Sequence, residues 1–546
     1  MDGKQIKQRF DELWSDRKIV ENTWDLIERV IMPLGGGRFF QPLHNEGEID
    51  WRRRGIYDDT AILGCDTLAA SIHGSLTSPA TKWFDFHFRT SALNDNVEAK
   101  KWLDEASRIT WMTIQDSNFN MEVSETYLDL AGMGNGGLSH EPKNDLTWEG
   151  MEFDAMPLRE LYFEEDEHGH ILRLYRLLQW RPAAIINKFG DKVPDSIKSK
   201  ADKAVNERVD IIFCIYNRDE FKNADTSKII AKTLRPFGNK YILRESGEML
   251  GEEGGYYEMP AYMVRWRKTS GSMWGYGPGT IALSTVLTLN ETIKLVLEAA
   301  EKVIDPAVLV QRRGILSDLD LSPGGKTVVK DVNQIKAFES SARFDVSALQ
   351  INDLRDMVRR LFHVDQLELK ESPAMSATEV MVRYELMNRL LGPTMGRLQS
   401  DLLDPLVTNT FRMLYRAKQI EEMPQVVVDA GGIVDIEYVG PLSRAQKMDE
   451  TSSIERWLGN ISTLAEMFPE IRNVPDVTAI AIGMANSMNI DMKYVNNIDD
   501  IDQLNAKDGE IAELQQQLAL AQQAADVEKT QSDTAGQAQQ QQLAAI

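Results

Sequence analysis

Two glycine-rich stretches of the chain have residue types that could bind phosphate groups. The first, SPGGKT at 322–327, ends like a phosphate-binding loop, but Asp320 occupies the position where that motif requires its first glycine. The second, GMGNGG at 132–137, is loosely similar to a dinucleotide fingerprint, yet no alternation of strands and helices surrounds it. We therefore interpret 322–327 as a glycine turn and 132–137 as a flexible loop, and we predict no nucleotide site.

Histidines beside acidic residues are the other candidates for chemistry. His168 and His170 follow the acidic run 164–167 and could bind a metal ion, but such a run is more often the solvated tip of a hairpin. His140 and Glu141 lack the second histidine that a zinc-protease motif has four residues after the first. No Gly-x-Ser-x-Gly elbow is present. We predict no catalytic residue, no metal site and no cofactor, and expect that the chain is not an enzyme.

The composition limits the classes of partner. The 546 residues include 61 Lys and Arg against 84 Asp and Glu, so the net charge is −23, which argues against tight nonspecific binding of nucleic acid. The two cysteines, Cys65 and Cys214, cannot form a disulfide framework, and we expect buried, reduced thiols. The N-terminus lacks the apolar region of a signal peptide, and no apolar run approaches membrane-spanning length. We expect a soluble chain made in the cytoplasm.

The stretch 373–407 has the periodicity of a long helix. Ser376 and Glu379 fit a capping box at its start. Gly392 and Pro393 interrupt it, and proline removes a backbone donor, so we predict a kink or a restart there. The apolar positions at three- and four-residue spacing are Val380, Tyr384, Met387, Leu391, Leu398, Leu402 and Leu406.

The remaining elements follow from periodicity and from turn residues. In the first half we predict helices at 1–32, 58–77, 95–131 and from Pro182 to Gly190. We predict strands there at 83–88, 156–163, 171–178, 209–216, 229–234 and 241–243. After the turn GSMWGYGPG we predict helices at 280–303 and 344–362, a loop at 363–374, a strand at 432–439 and helices to about 488. The glutamine- and alanine-rich end predicts a short coiled coil, followed by disorder beyond about residue 528.

Three stretches together carry a resemblance to a known family. They are the turn at 274–279, the helix start at 375–380 with its break at 391–393, and the segment YVGPLSRAQ at 438–446. In this order and spacing they resemble the head-to-tail connector (portal) proteins of short-tailed double-stranded-DNA bacteriophages. The resemblance implies an α+β, predominantly helical fold with a wing, a stem, a clip and a crown, assembled into a ring. It covers about residues 1 to 500.

The resemblance also implies a division of the chain into parts. These are a wing at 1–279, a first stem helix at 280–305, a clip at 306–343, a second stem helix at 344–362, a tunnel loop at 363–375, a kinked wing helix with a return strand at 376–444, a crown at 445–504 and a tail at 505–546.

Four groups of residues would then carry the function. The tunnel loop would present to the channel Val364, Asp365, Gln366, Leu367, Glu368, Leu369, Lys370 and Glu371. The cap and the kink of the wing helix would be Ser376, Glu379, Gly392 and Pro393. The stem would pack through Leu283, Leu287, Leu354 and Val358, and the clip would use Arg312, Arg313, Asp318 and Lys326.

The implied function is a ring, usually of twelve copies, at one capsid vertex, through which double-stranded DNA passes without sequence readout at packaging and ejection. Implied partners are further copies of the chain, the packaging terminase, tail adaptor proteins, and capsid and scaffolding proteins, with no membrane. The ring would be assembled in the host cytoplasm and would remain in the virion. Because the chain is acidic, we expect a mainly acidic channel with few basic positions, Lys370 among them. The alternatives are another phage structural ring, such as an adaptor or a tail-tube component, and a packaging ATPase or nuclease.

Overall fold

The structure of the protein is a computed structural model. It describes residues 2–33, 55–94, 96–144, 147–203, 207–218, 221, 230–304, 308–310, 335–337, 344–367, 392–431, 433–438, 453–464 and a few positions after 464. By its internal contacts the chain divides into two units. The first unit comprises Met1–Phe84 and Arg108–Glu422, and the second comprises Asp85–Ser107 and Met423–Ile546.

Helices and strands alternate through the described residues. The helices are α1 (Gly3–Val30), α2 (Thr60–Leu76), α3 (Ser91–Asn94), α4 (Val97–Gln115), α5 (Phe119–Met133), α6 (Pro182–Phe189), α7 (Asp195–Lys203), α8 (Pro278–Ile304), α9 (Phe344–Leu361), α10 (Val364–Leu367), α11 (Asp404–Arg416) and α12 (Gln425–Asp429). The strands are β1 (Phe84–Phe88), β2 (Asn135–Pro142), β3 (Met151–Ala155), β4 (Leu161–Glu165), β5 (Ile171–Trp180), β6 (Val209–Asn217), β7 (Phe237–Leu243), β8 (Met249–Tyr256), β9 (Ala261–Arg265), β10 (Arg267–Lys268), β11 (Gly275–Tyr276), β12 (Val308–Val310), β13 (Ile335–Ala337) and β14 (Val434–Tyr438).

A five-stranded antiparallel sheet in the order β4-β5-β6-β7-β8 forms one core of the first unit. Helix α1 covers it, and Phe10 of α1 meets Tyr162 of β4 edge-on with ring centroids 4.7 Å apart. Such an aromatic pair contributes about 0.5–1.5 kcal/mol beyond its burial. Arg17 of α1 is buried as well, and its Nη1 donates to the carbonyls of Leu158 (2.9 Å) and Leu161 (2.6 Å). The predicted hairpin of β4 and β5 and the predicted strand β6 are confirmed.

Two of the predicted elements are wrong in detail. The single helix at 95–131 is two helices, α4 and α5, because Ser117 and Asn118 interrupt it. Ser117 Oγ donates to the Ile114 carbonyl at 2.6 Å, and the Asn118 amide exchanges hydrogen bonds with the backbone of Phe153, both at 2.8 Å. Such side chains compete with the helical backbone. The strand expected at 229–234 is wrong too, because Lys232–Leu234 form a 3₁₀ turn.

A second sheet of the first unit has the strand order β3-β2-β9. Its central strand, β2, begins at Asn135, inside the glycine-rich stretch that the sequence predicted to be a loop, so that expectation is wrong. Glycine lowers strand propensity, but here the small residues let neighbouring chain segments approach closely. Gly137 is an example, because a Cβ there would overlap the side chain of Leu161.

The second unit contains the two-stranded sheet of β1 and β14, where the sequence predicted strands. Arg89, just after β1, forms a two-point ion pair with Asp435 of β14 at 2.8 and 2.9 Å. The second unit also contains a helical stretch at 453–464.

Both cysteines belong to the first unit, and the prediction of buried, reduced thiols is confirmed. Cys65 and Cys214 are free and fully buried. Burial raises the pKa of both thiols far above its ordinary value.

Among the described residues, one helix is apolar enough to span a membrane. By length and composition alone, Pro278–Glu301 of α8 passes this test, so the expectation that no run approaches such a length is wrong. The core helix of a water-soluble protein passes the same test, so the finding is weak by itself.

Candidate functional site: the helical hairpin, its anchor and the polar seam

Helices α8 and α9 form an antiparallel hairpin. Thr285, near the start of α8, contacts Met357, near the end of α9, with Oγ1 3.8 Å from Sδ. Further along, Asn290 of α8 accepts the Asp58 amide at 3.3 Å, and Arg355 of α9 binds the carboxylate of the same Asp58 at 2.8 Å. Beyond the helices, β12 pairs with β13 in antiparallel register. Within the first unit, the chain therefore runs outward along α8 and returns along α9.

The hairpin buries only part of its apolar surface. Of the predicted stem residues, Val358 is fully buried, Leu283 and Leu354 are half-buried, and Leu287 is 39% exposed. Large apolar side chains are exposed on both helices, and they are Ile281, Leu287, Leu295, Leu297, Val303, Ile304, Leu349 and Met357. So many exposed large apolar side chains on two helices suit a contact with another molecule.

Five glycines anchor the hairpin at the start of α8, and we call Gly132, Gly134, Gly275, Gly277 and Gly279 the glycine junction. A Cβ on Gly277 would lie 2.7 Å from the Gly134 Cα, and one on Gly279 would lie 2.9 Å from the Gly132 carbonyl carbon and closer still to its oxygen. Gly134 adopts φ +77°, which L side chains rarely do. Only glycine allows these backbones to touch, and this explains the WGYGPG turn.

Polar and aromatic contacts close the glycine junction. Asn135 is fully buried, and its side chain accepts the Gly275 N–H at 2.7 Å and donates to the Gly275 carbonyl at 2.9 Å. Trp274 packs edge-on against Trp24 of α1 and Phe163 of β4, each at 4.9 Å between centroids. The start of α8 is therefore fixed to α1, to α5 and to both sheets.

Inside the predicted tunnel loop, Val364–Leu367 form the helical turn α10, so the expectation of a loop is wrong at these residues. His363 has φ 59°, and this left-handed residue separates α9 from α10. Val364 is buried, whereas Asp365 is exposed and accepts a hydrogen bond from Arg359 at 3.3 Å. Gln366 and Leu367 end α10. Outside the described residues lie Glu368, Leu369, Lys370, Glu371, Ser376, Glu379 and the clip residues Arg312, Arg313, Asp318 and Lys326.

The predicted wing helix is described from Gly392 onward. Gly392 and Pro393 are helical, and because the preceding residues lie outside the described part, the kink at this point stays a prediction. Residues 399–403 form a π-turn, after which α11 continues. Pro405 directly follows the π-turn, and it cannot donate the backbone hydrogen bond that a regular helix would have at this position. The apolar stripe is confirmed for Leu398, Leu402 and Leu406, which are fully buried.

Three polar contacts, which we call the polar seam, join this helix to β9 and the residues before it. Arg265 pairs with Asp401 at 3.4 Å, Asn409 donates to the Tyr262 hydroxyl at 2.9 Å, and Arg416 pairs with Glu258 through two bonds at 2.5 and 2.6 Å. Positions 401, 409 and 416 are about two turns apart, so they share one helix face. Sequence reasoning missed these contacts.

The middle of the polar seam continues into the β3-β2-β9 sheet through His140 of β2. The Tyr262 hydroxyl and His140 Nδ1 form a hydrogen bond at 3.0 Å. His140 is 1% exposed and stacks between Phe153 and Tyr262. Burial lowers the pKa of His140 to about 3, so the ring is neutral at physiological pH.

A cavity of about 550 Å³ lies beneath the polar seam. It is bounded by β9, by the helix face that carries Asp401, Asn409 and Arg412, and by the tip of the β4–β5 hairpin at His170. His168 and His170 lie at that exposed tip, as predicted, and the Asp166 carboxylate accepts their backbone N–H groups at 2.9 and 2.8 Å. Among the described residues, no group of three or more His, Cys, Asp or Glu side chains could hold a metal ion.

A family model connects this architecture to known proteins. The model for bacteriophage head to tail connecting protein matches residues 3–495, which is nearly the whole chain. The chain belongs to this family. It is therefore a head-to-tail connector and a structural component of the phage particle, as the resemblance implied. The described helices and strands confirm the predicted fold class, an α+β fold in which helices predominate.

Two relatives of this connector match along almost their full length. One is the probable portal protein of Bordetella phage BPP-1, which is 27% identical over 96% of this chain and 94% of its own length. Another is the portal protein of Salmonella phage epsilon15, which is 23% identical over 97% of this chain and 95% of its own length.

Solved structures of the necks of GTA particles also align with the connector. The neck of an empty GTA particle, computed with C6 symmetry, has a TM-score of 0.34 at 9% identity and covers 72% of this chain and 86% of its own. The neck of a native GTA particle, computed with C12 symmetry, has a TM-score of 0.34 at 8% identity. It covers 79% of this chain and 94% of its own. At this TM-score the similarity carries no structural detail.

Proposed function

We propose that this connector is a portal protein that forms a closed ring, of twelve copies, at one vertex of the capsid. The ring surrounds the channel through which double-stranded DNA enters at packaging and leaves at ejection. Two relatives that match over nearly the whole chain bear the name portal protein, and this supports the assignment. In this proposal α8 and α9 are the stem helices, 306–343 is the clip, and 445–504 is the crown.

The observation that carries the ring is the exposed apolar surface of the α8–α9 hairpin. Val358 packs within one chain, but Leu349 is 68% exposed and Leu295 is 55% exposed, so much apolar area faces outward. Burying apolar surface gains roughly 25 cal/mol per Å². Because a closed ring requires two different faces of each copy to meet, we propose that one side of each hairpin packs against its neighbour.

The charge of the chain supports a channel that does not retain DNA. Each copy carries a net charge of −23, and each Lys or Arg contact to phosphate would add salt-dependent adhesion. We propose that the tunnel loop, with Asp365, Glu368 and Glu371, presents mainly acidic side chains to DNA, and that Lys370 is an exception. A channel with a continuous basic lining would contradict this.

The ring is tested with the variant Leu287→Asp. Leu287 is 39% exposed in one chain, so we expect the monomer to fold with an unchanged melting temperature while ring formation falls at least tenfold. Mass photometry gives the size of the assembly, and negative-stain imaging shows its shape. Met121→Asp, at a 67% exposed apolar residue of α5, is the matched control and should leave assembly unchanged. Normal rings from Leu287→Asp would refute the stem interface.

We further propose that the connector binds the packaging terminase first and the tail adaptor proteins later, and that it contacts capsid and scaffolding proteins. Its role is structural and not enzymatic. The SPGGKT stretch lacks the first glycine of a phosphate-binding loop, and this supports a chain without ATPase activity. Clear ATP hydrolysis by the purified protein would revive the packaging-ATPase alternative.

A further inference from the structure

Among the residues that the structure describes, strand β9 is paired along only one of its two edges. Trp266 N–H donates to the Gly134 carbonyl at 3.0 Å, and His140 N–H donates to the Pro260 carbonyl at 2.9 Å. In an antiparallel pair the bonded positions alternate, so the even-numbered residues from 260 to 266 face β2. The backbone N–H and C=O groups of Ala261, Met263 and Arg265 therefore point to the opposite edge.

That opposite edge has no hydrogen-bond partner among the residues that the structure describes. The backbone groups of Ala261, Met263 and Arg265 form no bond there, although these residues are only 1%, 1% and 5% exposed. The neighbouring Met259 carbonyl is satisfied, because Asn409 donates to it at 3.1 Å. Buried backbone groups in native proteins are almost always paired. We therefore interpret β9 as the edge strand of a sheet that lacks one further strand, and we call its unpaired side the open edge.

The space beside the open edge can hold the missing strand. Ala261, Met263 and Arg265 all line the cavity of about 550 Å³. Five residues of β9 extend about 17 Å, and an added strand would lie about 4.8 Å away. The cavity is also too large for one or two structural waters, since each water occupies about 30 Å³ of liquid.

The charges around the open edge favour an acidic occupant. Arg397 has a buried Nη1 without an acceptor in the described part of the chain, and it lies close enough to Asp401 to affect its pKa. Arg412, which is exposed on the cavity wall, forms no ion pair with any described residue. A second copy of this chain is an acidic partner, since it carries 84 acidic against 61 basic residues.

We propose that an extended, acidic segment of a second copy adds to the open edge of β9. Its backbone bonds the N–H and C=O groups of Ala261, Met263 and Arg265, and a carboxylate of the segment reaches Arg397 or Arg412. This inference rests on the proposed ring, because the ring supplies the neighbouring copy. It adds backbone pairing to the apolar contacts of the hairpin as a second means of joining copies.

Hydrogen exchange with residue resolution tests this on the full chain, as the monomer and as the assembled particle. We expect the amides of Ala261, Met263 and Arg265 to exchange at least tenfold more slowly in the particle. Tyr262 and Val264, already bonded to β2, should be unchanged. Particles whose three amides exchange as fast as in the monomer would overturn the added strand but leave the ring intact. Slow exchange already in the monomer would show that the same chain or water closes the edge. A chain that never assembles would contradict both proposals.

The variant Ala261→Pro tests the same edge genetically. Proline at this first residue of β9 removes only the donor on the open edge and leaves the pairing with β2 intact. Ala261→Val adds similar volume and keeps the donor, so it is the matched control. We expect at least tenfold weaker assembly for Ala261→Pro and unchanged assembly for Ala261→Val. The proposed pairing would be contradicted if both variants assembled like the wild type, or if both lost assembly equally. If Ala261→Pro does not fold, the hydrogen exchange of the wild-type protein decides whether the strand is added.

Discussion

The glycine junction and the polar seam attach two helices to the same region of the first unit in opposite ways. At the glycine junction the start of α8 touches its neighbours through backbone atoms, and any added carbon would collide with them. At the polar seam the helix from 392 to 416 lies above a cavity of about 550 Å³ and is held by separate polar contacts.

The difference has a physical meaning for each attachment. Close-packed backbone has no alternative arrangement nearby, so the glycine junction holds the base of the proposed stem in one position. Polar contacts depend on geometry and on charge state, and a cavity leaves room for another chain. The polar seam is therefore the attachment at which we expect pH and the proposed assembly to act.

The largest expected effect comes from filling the glycine junction. In Gly279→Ala the new Cβ would overlap the Gly132 carbonyl, so backbone must move. We expect a loss in the free energy of unfolding above about 4 kcal/mol, or no folded protein, because such large effects follow when a rigid contact is broken. Urea unfolding followed by circular dichroism measures it.

The matched control for Gly279→Ala lies on the other helix. Gly396 is helical and has no atom within 4 Å of its would-be Cβ, so Gly396→Ala should stabilise the protein by about 0.5–1 kcal/mol. If Gly279→Ala and Gly396→Ala change the free energy of unfolding in the same direction, the proposed contrast between the two attachments is wrong.

Breaking one contact of the polar seam has the next largest effect. Arg416→Met leaves the Glu258 carboxylate, which is 7% exposed, without its two-point partner, and we expect a loss of about 3 kcal/mol in the free energy of unfolding. Adding Glu258→Leu should restore most of the loss, since no charge then stays buried. Arg89→Met, which breaks the exposed two-point pair with Asp435, is the control and should change stability little. If Arg416→Met and Arg89→Met lowered the free energy of unfolding equally, burial would not explain the strength of the pair between Arg416 and Glu258.

The smallest effect depends on pH. His140 has a pKa of about 3 when folded and an ordinary value of 6.5 when unfolded, so below pH 6.5 the unfolded chain takes up the proton first. Stability is therefore full above pH 6.5 and falls as the pH decreases toward 3, with a loss of about 2 kcal/mol at pH 5. His140→Gln, whose amide can still hydrogen-bond the Tyr262 hydroxyl, should remove this slope. If the free energy of unfolding of His140→Gln still falls between pH 7 and pH 5 as it does in the wild type, His140 is not the source of the pH dependence.

Local signals in the sequence predicted the elements that depend on neighbours along the chain. Pro182 begins α6 and Gly190 ends it, as predicted, because proline suits the first helical turn and glycine the end. The acidic run before His168 is the tip of the β4–β5 hairpin, also as predicted. The long helix α8 follows its glycine turn within two residues of the predicted start.

Contacts between distant residues could not be predicted in the same way. Asn135 binds Gly275 across 140 positions, and Gly136 and Gly137 suit strand β2 because Thr126 and Leu161 lie close against them. Glu258 and Arg416 are 158 positions apart, and neither lies in a motif. Tertiary packing decides these cases, and the cavity beside β9 has no local signal at all.

The burial of both native thiols has a practical consequence for observing the assembled particle. Cys65 and Cys214 are fully buried, and the chain has no other cysteine, so the folded protein should resist thiol reagents. A single cysteine introduced at the exposed Leu349 of α9 would then be the one reactive thiol of each copy. A spin label or dye attached there would report the spacing of neighbouring hairpins directly, without further engineering of the chain.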